Sequence, residues 1–198
     1  VFDGLAREPV LSLNASFAAP VIMEYNVSET REEAQPGPTK KECFLSVLSL
    51  FAKDPFVRWD SINRLMLHAA HELIVRKNHE EDRNNPINRT LVQVFETLIN
   101  DPYVAPAYKA ICMTLPTENA IAETLPLIDP VAVRRARDKI RFELGTRFAK
   151  TLNELVDANR TEGEYSPDPV SAGCRSLVEA CLDYLTAAND KHGLLTLR

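Results

Sequence analysis

The stretch Asp54-Pro55-Phe56-Val57-Arg58-Trp59-Asp60-Ser61-Ile62-Asn63-Arg64-Leu65-Met66-Leu67-His68-Ala69-Ala70-His71-Glu72-Leu73 decides the fold. It opens with an aspartate whose carboxylate can accept the unpaired amides of a first helical turn. The proline after it loses no hydrogen bond there, because first-turn donors have no helical partner. The carboxylate also suits the positive end of the helix dipole. Trp59, Ile62, Met66, Ala69 and Leu73 then recur at intervals of three and four, the spacing of one helical face. The same pair stands at Asp101-Pro102, Asp129-Pro130 and Asp168-Pro169, and each predicts a helix onset within about two residues.

Outward from this stretch the helical period persists. Phe44, Val47, Leu48 and Phe51 form an earlier stripe in a helix from about Lys40; Leu91, Val94, Phe95 and Leu98 form a third, and Tyr108, Ile111, Cys112 and Leu115 a fourth. Thr117 to Leu125 predicts a short fifth helix and Pro130 to about Asn159 a long sixth. A seventh runs from Pro169 to about Ala188, with Cys174, Leu177, Val178, Cys181, Leu182 and Leu185 inward. The Asp-Pro pairs are 47, 28 and 39 residues apart, too uneven for a strict repeat. Short connections between antiparallel helices still predict an irregular α-helical solenoid of helical hairpins over residues 41–198. The polar run Asn78 to Arg89 reads as a surface loop.

Upstream the period changes. In residues 1–27, Val1, Phe2, Leu11 and Leu13 stand between turn residues, and Val21, Met23 and Tyr25 alternate with mostly polar neighbours, which predicts two or three β-strands. So small a sheet is marginal alone, so further strands are expected before Val1. Residues 28–40, with Glu32, Glu33, Pro36, Gly37 and Pro38, read as a linker.

A hydrophobic fraction of 45% and a charged fraction of 26% permit a core and argue against a disordered tail. The net charge of -5 argues against the broad basic footprint that nucleic acid or an anionic membrane surface selects. No apolar run approaches the ~20 residues of a membrane span. Four cysteines without Cys-x-x-Cys spacing do not make a disulfide scaffold or a thiolate zinc site. Cys174 and Cys181 share a helical face, but about 10.5 Å of rise separates them, beyond disulfide reach. All four cysteines are read as reduced thiols, and the sequons at Asn14, Asn26, Asn88 and Asn159 matter only in a secretory compartment, which nothing in the sequence supports; the location is left unknown, with cytoplasmic favoured.

His68-Ala69-Ala70-His71-Glu72 invites comparison with the zinc-hydrolase pattern His-Glu-x-x-His. Here the histidines are three apart and Glu72 follows the second, so neither that order nor the inverted His-x-x-Glu-His is met. At about 100° per residue from Trp59, the apolar stripe averages near -40°, with His68 at about 180° and His71 at about 120°. Both histidines, with Glu72, are therefore expected on a solvated face, and a metal-dependent hydrolase built on them is disfavoured. No nucleophile elbow, phosphate loop or dinucleotide fingerprint is present. Glu32-Glu33 and Glu80-Glu81 are read as solvated pairs. Arg134, Arg137 and Arg141 read as the wet face of the sixth helix, and Trp59 as a largely buried core anchor.

Phe2-Asp3-Gly4-Leu5, Glu8-Pro9-Val10-Leu11-Ser12-Leu13-Asn14, Phe17-Ala18-Ala19-Pro20-Val21 and Phe56-Val57-Arg58-Trp59-Asp60 occur in an order that resembles the aminopeptidase N family of zinc metallopeptidases, in its bacterial and apicomplexan-type branch. The likeness continues through Asp101-Pro102, Leu115-Pro116, Ile128-Asp129-Pro130 and Arg175-Ser176-Leu177-Val178-Glu179-Ala180-Cys181-Leu182. The resemblance implies that residues 1–27 are the closing strands of the family's β-sandwich third domain, and residues 41–198 the first half of its C-terminal helical domain. It implies a parent chain that removes N-terminal amino acids from peptides, with zinc held by an upstream catalytic domain. The partners implied are peptides and the upstream catalytic and β-sandwich domains. No catalytic, cofactor-binding or metal-binding residue carries over to this stretch, which is expected to be inactive alone and to wall or cap the substrate chamber. The rival expectation is an autonomous helical-repeat interaction module; orphan strands at its start would have no purpose there.

Overall fold

Thr39 begins the helical part of the chain with a reciprocal cap: its hydroxyl accepts from Glu42 N at 3.2 Å, and Glu42 Oε2 accepts from Thr39 N at 2.6 Å. The computed structural model describes residues 39–76, 86–161 and 165–188, and among these the chain is all helix and connection. The elements are α1 (Lys40–Phe51), α2 (Pro55–Arg76), α3 (Arg89–Asn100), α4 (Pro106–Met113), α5 (Glu118–Ala122), α6 (Pro130–Arg147), α7 (Ala149–Ala158) and α8 (Pro169–Ala187). The predicted strands of residues 1–27 and most of the linker lie outside the described residues.

Three Asp-Pro pairs head helices as predicted. Asp54 Oδ1 accepts from Phe56 N and Val57 N, Asp129 Oδ1 from Val131 N and Ala132 N, and Asp168 Oδ1 from Val170 N and Ser171 N, all between 2.8 and 3.1 Å. Bonds from Ser171 and Ser166 hold the Asp168 carboxyl well below the usual range. Asp101 behaves differently. It is the C-cap of α3, its Oδ1 accepts from Tyr103 N at 2.9 Å to close a turn, and α4 starts only at Pro106. The carboxylate is spent on the turn, and the helix waits for the next proline.

The single long sixth helix is in fact two. At Phe148 the backbone leaves helical geometry, with φ -108° and ψ 17°, and separates α6 from α7. The Phe148 ring is buried 5.7 Å from that of Phe95, which in turn meets Tyr184 edge-on at 5.1 Å. Packing of this aromatic into the core accompanies a bend that no proline marks.

α2 packs on α1 and α6, and α8 packs on α4, α6 and α7, so α2 and α8 bracket the main core, while Leu48, Ala52 and Val57 form a smaller second cluster. Close approach of α6 to α8 depends on Gly145, where an added Cβ would stand 2.2 Å from Tyr184 O. Tyr184, buried at the centre, donates its hydroxyl proton to Met113 O at 2.6 Å. Lys109 is buried too, and its ammonium donates to Ile99 O and Asp101 O, satisfying the last carbonyls of α3. The expected inward face of α1 is wrong in two places: Phe51 and Val47 are exposed, while Glu42, Leu45, Leu48 and Ser49 are buried. Trp59 is only half-buried, with its ring 5.6 Å from Phe56, because Ile62, Leu65, Met66 and Ala69 supply most of the buried face of α2.

Candidate functional site

The histidine pair of α2 divides. His68 is drawn beneath α1, with Nδ1 3.3 Å from Oε1 of Glu42, whereas among the described residues His71 makes no comparable approach to a carboxylate. The expectation of a fully solvated His68 is therefore corrected: the ring is half-buried because α1 crosses α2 over it. Helical geometry supplies a second neighbour, since Glu72 lies one turn beyond His68 on the same face. Asn88, just before α3, completes the group. Its amide nitrogen donates to Glu42 Oε1 and, at 3.1 Å, to Glu72 Oε2, while its carbonyl accepts from Thr90 N at 2.8 Å and Leu91 N at 3.4 Å.

Glu42 anchors the cluster at 3% exposure. Burial works against its charge, but His68, the Thr39 amide and Asn88 together outweigh that and hold its carboxyl at about 2. The same carboxylate raises the His68 pKa against the opposing effect of burial, with help from Glu72. The 3.3 Å separation is that of an ion pair, which favours the charged forms of both groups. One imidazole and two carboxylates thus bring a ligand atom each within 4.8 Å of one another.

Sequence reasoning named His68 and Glu72 and missed Glu42 and Asn88. Thr39-Lys40-Lys41-Glu42 has the spacing of a capping box, which flags Glu42 as a helix-start residue and says nothing of what its second oxygen meets.

The arginines of α6 are not all solvent-facing. Arg134 is, beside Asp138, but Arg137 Nε donates to Pro116 O at 3.1 Å and Arg141 pairs with Asp183 on α8. An open cleft of about 500 Å³ between α4, α6 and α8 is lined by Arg137, Glu179 and Asp183 among others, with charges of both signs. Glu32-Glu33 and Glu80-Glu81 fall outside the described residues, as do Asn14 and Asn26. Asn159 Nδ2 donates to Leu155 O at the end of α7.

Residues 44–197 match a family described as a domain of unknown function (DUF3458_C) with ARM repeats. The chain is 29% identical over 185 residues to aminopeptidase N of Escherichia coli, covering 93% of this chain and 19% of that protein. It is 30% identical over 193 residues to aminopeptidase N of Caulobacter vibrioides, covering 94% of this chain and 20% of that protein. The fold is shared with Legionella pneumophila aminopeptidase A, solved in complex with aspartic acid, at a TM-score of 0.72, 20% identity, 99% of this chain and 22% of that one. The chain thus spans about a fifth of the length of these relatives.

Proposed function

The chain belongs to the DUF3458_C family, the ARM-repeat region of aminopeptidase N, and from that premise we propose that it is a non-catalytic wall of a zinc aminopeptidase. The observation that carries this is a conjunction: likeness to aminopeptidase N runs over nearly all of the chain, yet the sequence contains no His-Glu-x-x-His. The residues present do not fit that family's catalytic zinc, so no step of peptide hydrolysis is assigned to them. Peptide and zinc belong, in this proposal, to the remainder of the longer protein, and the helices enclose or cap the chamber where the peptide sits. The exposed Phe51, Leu127, Ile128 and Val131 suit such a part, since apolar side chains of a wall are covered by the domains it abuts.

The test compares three preparations: the 198-residue chain, the longer protein, and the longer protein lacking residues 41–198. Release of amino acids from short and long peptides is measured for each. The chain alone releases none. The longer protein does, and the deletion changes its ratio of long- to short-peptide turnover or exposes apolar surface that aggregates. An undiminished, soluble enzyme with the same length preference after deletion would favour the rival interaction module.

A further inference from the structure

We propose that Glu42, His68 and Glu72 form a site for a first-row divalent cation of the zinc class, where α1, α2 and the start of α3 meet. This goes beyond the chamber-wall reading and does not depend on it. The three residues offer one imidazole and two carboxylates, a nitrogen and oxygen set that suits zinc better than magnesium, which favours oxygen alone. They come from two helices, so the geometry is set by the packing of α1 on α2 and by a one-turn repeat within α2.

The spacing is suitable. Zinc bonds to nitrogen and oxygen of about 2.0–2.2 Å place neighbouring tetrahedral ligands about 3.3–3.6 Å apart. His68 Nδ1 and Glu42 Oε1 are 3.3 Å apart, and each of the three residues has a ligand atom within 4.8 Å of those of the other two. His68 Nδ1 is itself buried and faces Glu42 Oε1, so a cation that displaces the proton of this ion pair would find the nitrogen already aimed into the cluster. Glu42 is nearly inaccessible, and the neutral amide of Asn88 is what bridges it to Glu72. A dication would balance the two carboxylates, with Asn88 orienting them from outside as an outer-shell donor.

Such a cation would brace rather than catalyse. It would tie α1 and, through Asn88, the N-terminus of α3 to α2. The glutamates are spent as ligands, and neither stands in the general-base position that the hydrolase pattern requires.

The test uses the purified 198-residue chain, stripped with a chelator and titrated with Zn²⁺ alone by calorimetry, with Co²⁺ absorption as a second readout. One equivalent binds, and the thermal midpoint rises with Zn²⁺ concentration. Glu72→Gln and His68→Gln each weaken binding at least about tenfold and abolish the midpoint shift, while His71→Gln changes neither. Glu72 is half-exposed, so its glutamine variant keeps the fold, and circular dichroism verifies this. Absence of saturable binding at millimolar Zn²⁺, binding that survives both ligand variants, or binding lost with His71→Gln would overturn the proposal.

Discussion

Gly145→Ala is the sharpest perturbation of the helix packing. In an open helix interior the change would be favourable by about 1 kcal/mol, because alanine is the better helix former. Here the new Cβ would meet Tyr184 O at 2.2 Å, Tyr184 C at 2.9 Å and the Ala188 side chain at 3.2 Å. The first two atoms are backbone of α8 and cannot rotate aside, so α6 and α8 must part by roughly 1 Å to restore ordinary contact. That separation loosens the Phe95, Phe148 and Tyr184 cluster and strains the Tyr184 bond to Met113 O. Overpacking of a dense core costs about 1–3 kcal/mol or more, and the upper end applies because the obstacle is main chain. After the propensity gain, a net loss of about 2 kcal/mol remains, or ~4–8 °C in midpoint for a domain of this size. Urea and thermal unfolding followed by circular dichroism would measure it. Gly173→Ala is the internal comparison: its nearest contacts are 3.0 Å and 3.1 Å, to the Cβ and N of Ala107, so the loss should be smaller. A Gly145→Ala protein as stable as the parent would refute the close-approach argument.

Three further outcomes follow from the same core. Tyr184→Phe should lower stability by about 1–2 kcal/mol in urea unfolding, because it leaves the buried Met113 carbonyl without its donor. Lys109→Met should cost about 2 kcal/mol for the same reason at Ile99 O and Asp101 O; an unchanged denaturation midpoint would show those carbonyls satisfied otherwise. Trp59→Ala should cost about 2 kcal/mol, below the ~3–5 of a fully buried aromatic, because its ring is partly in solvent; fluorescence of the lone tryptophan under an aqueous quencher checks that exposure independently.

Helix positions were readable because caps and apolar spacing are local. Asp54, Asp129 and Asp168 needed only their next three residues to declare a start. Asp101 shows the limit of that logic: an aspartate before proline can close a turn instead, and the choice rests on where Lys109 and α4 must sit. The break at Phe148 was invisible for a related reason, since it accompanies packing against Phe95, more than fifty residues away. The polar cluster was half legible. Helical angles placed His68 opposite the apolar stripe of α2 correctly, but a second helix can cover that opposite face, and α1 does so with Glu42. Nothing in the spacing within α2 reports what crosses it.

Asn88 carries an acceptor sequence for N-linked glycan, Asn88-Arg89-Thr90. In the folded chain its side chain is engaged at both ends, the carbonyl with the α3 amides and the nitrogen with two carboxylates. A sugar on that nitrogen would replace one of the N–H groups that now reach Glu42 and Glu72, so modification and this architecture compete for the same atom. Produced in a glycosylating host, the chain would carry its own clock: a glycan on Asn88 would mark molecules reached by the transferase before α3 docked, and a bare Asn88 those that folded first.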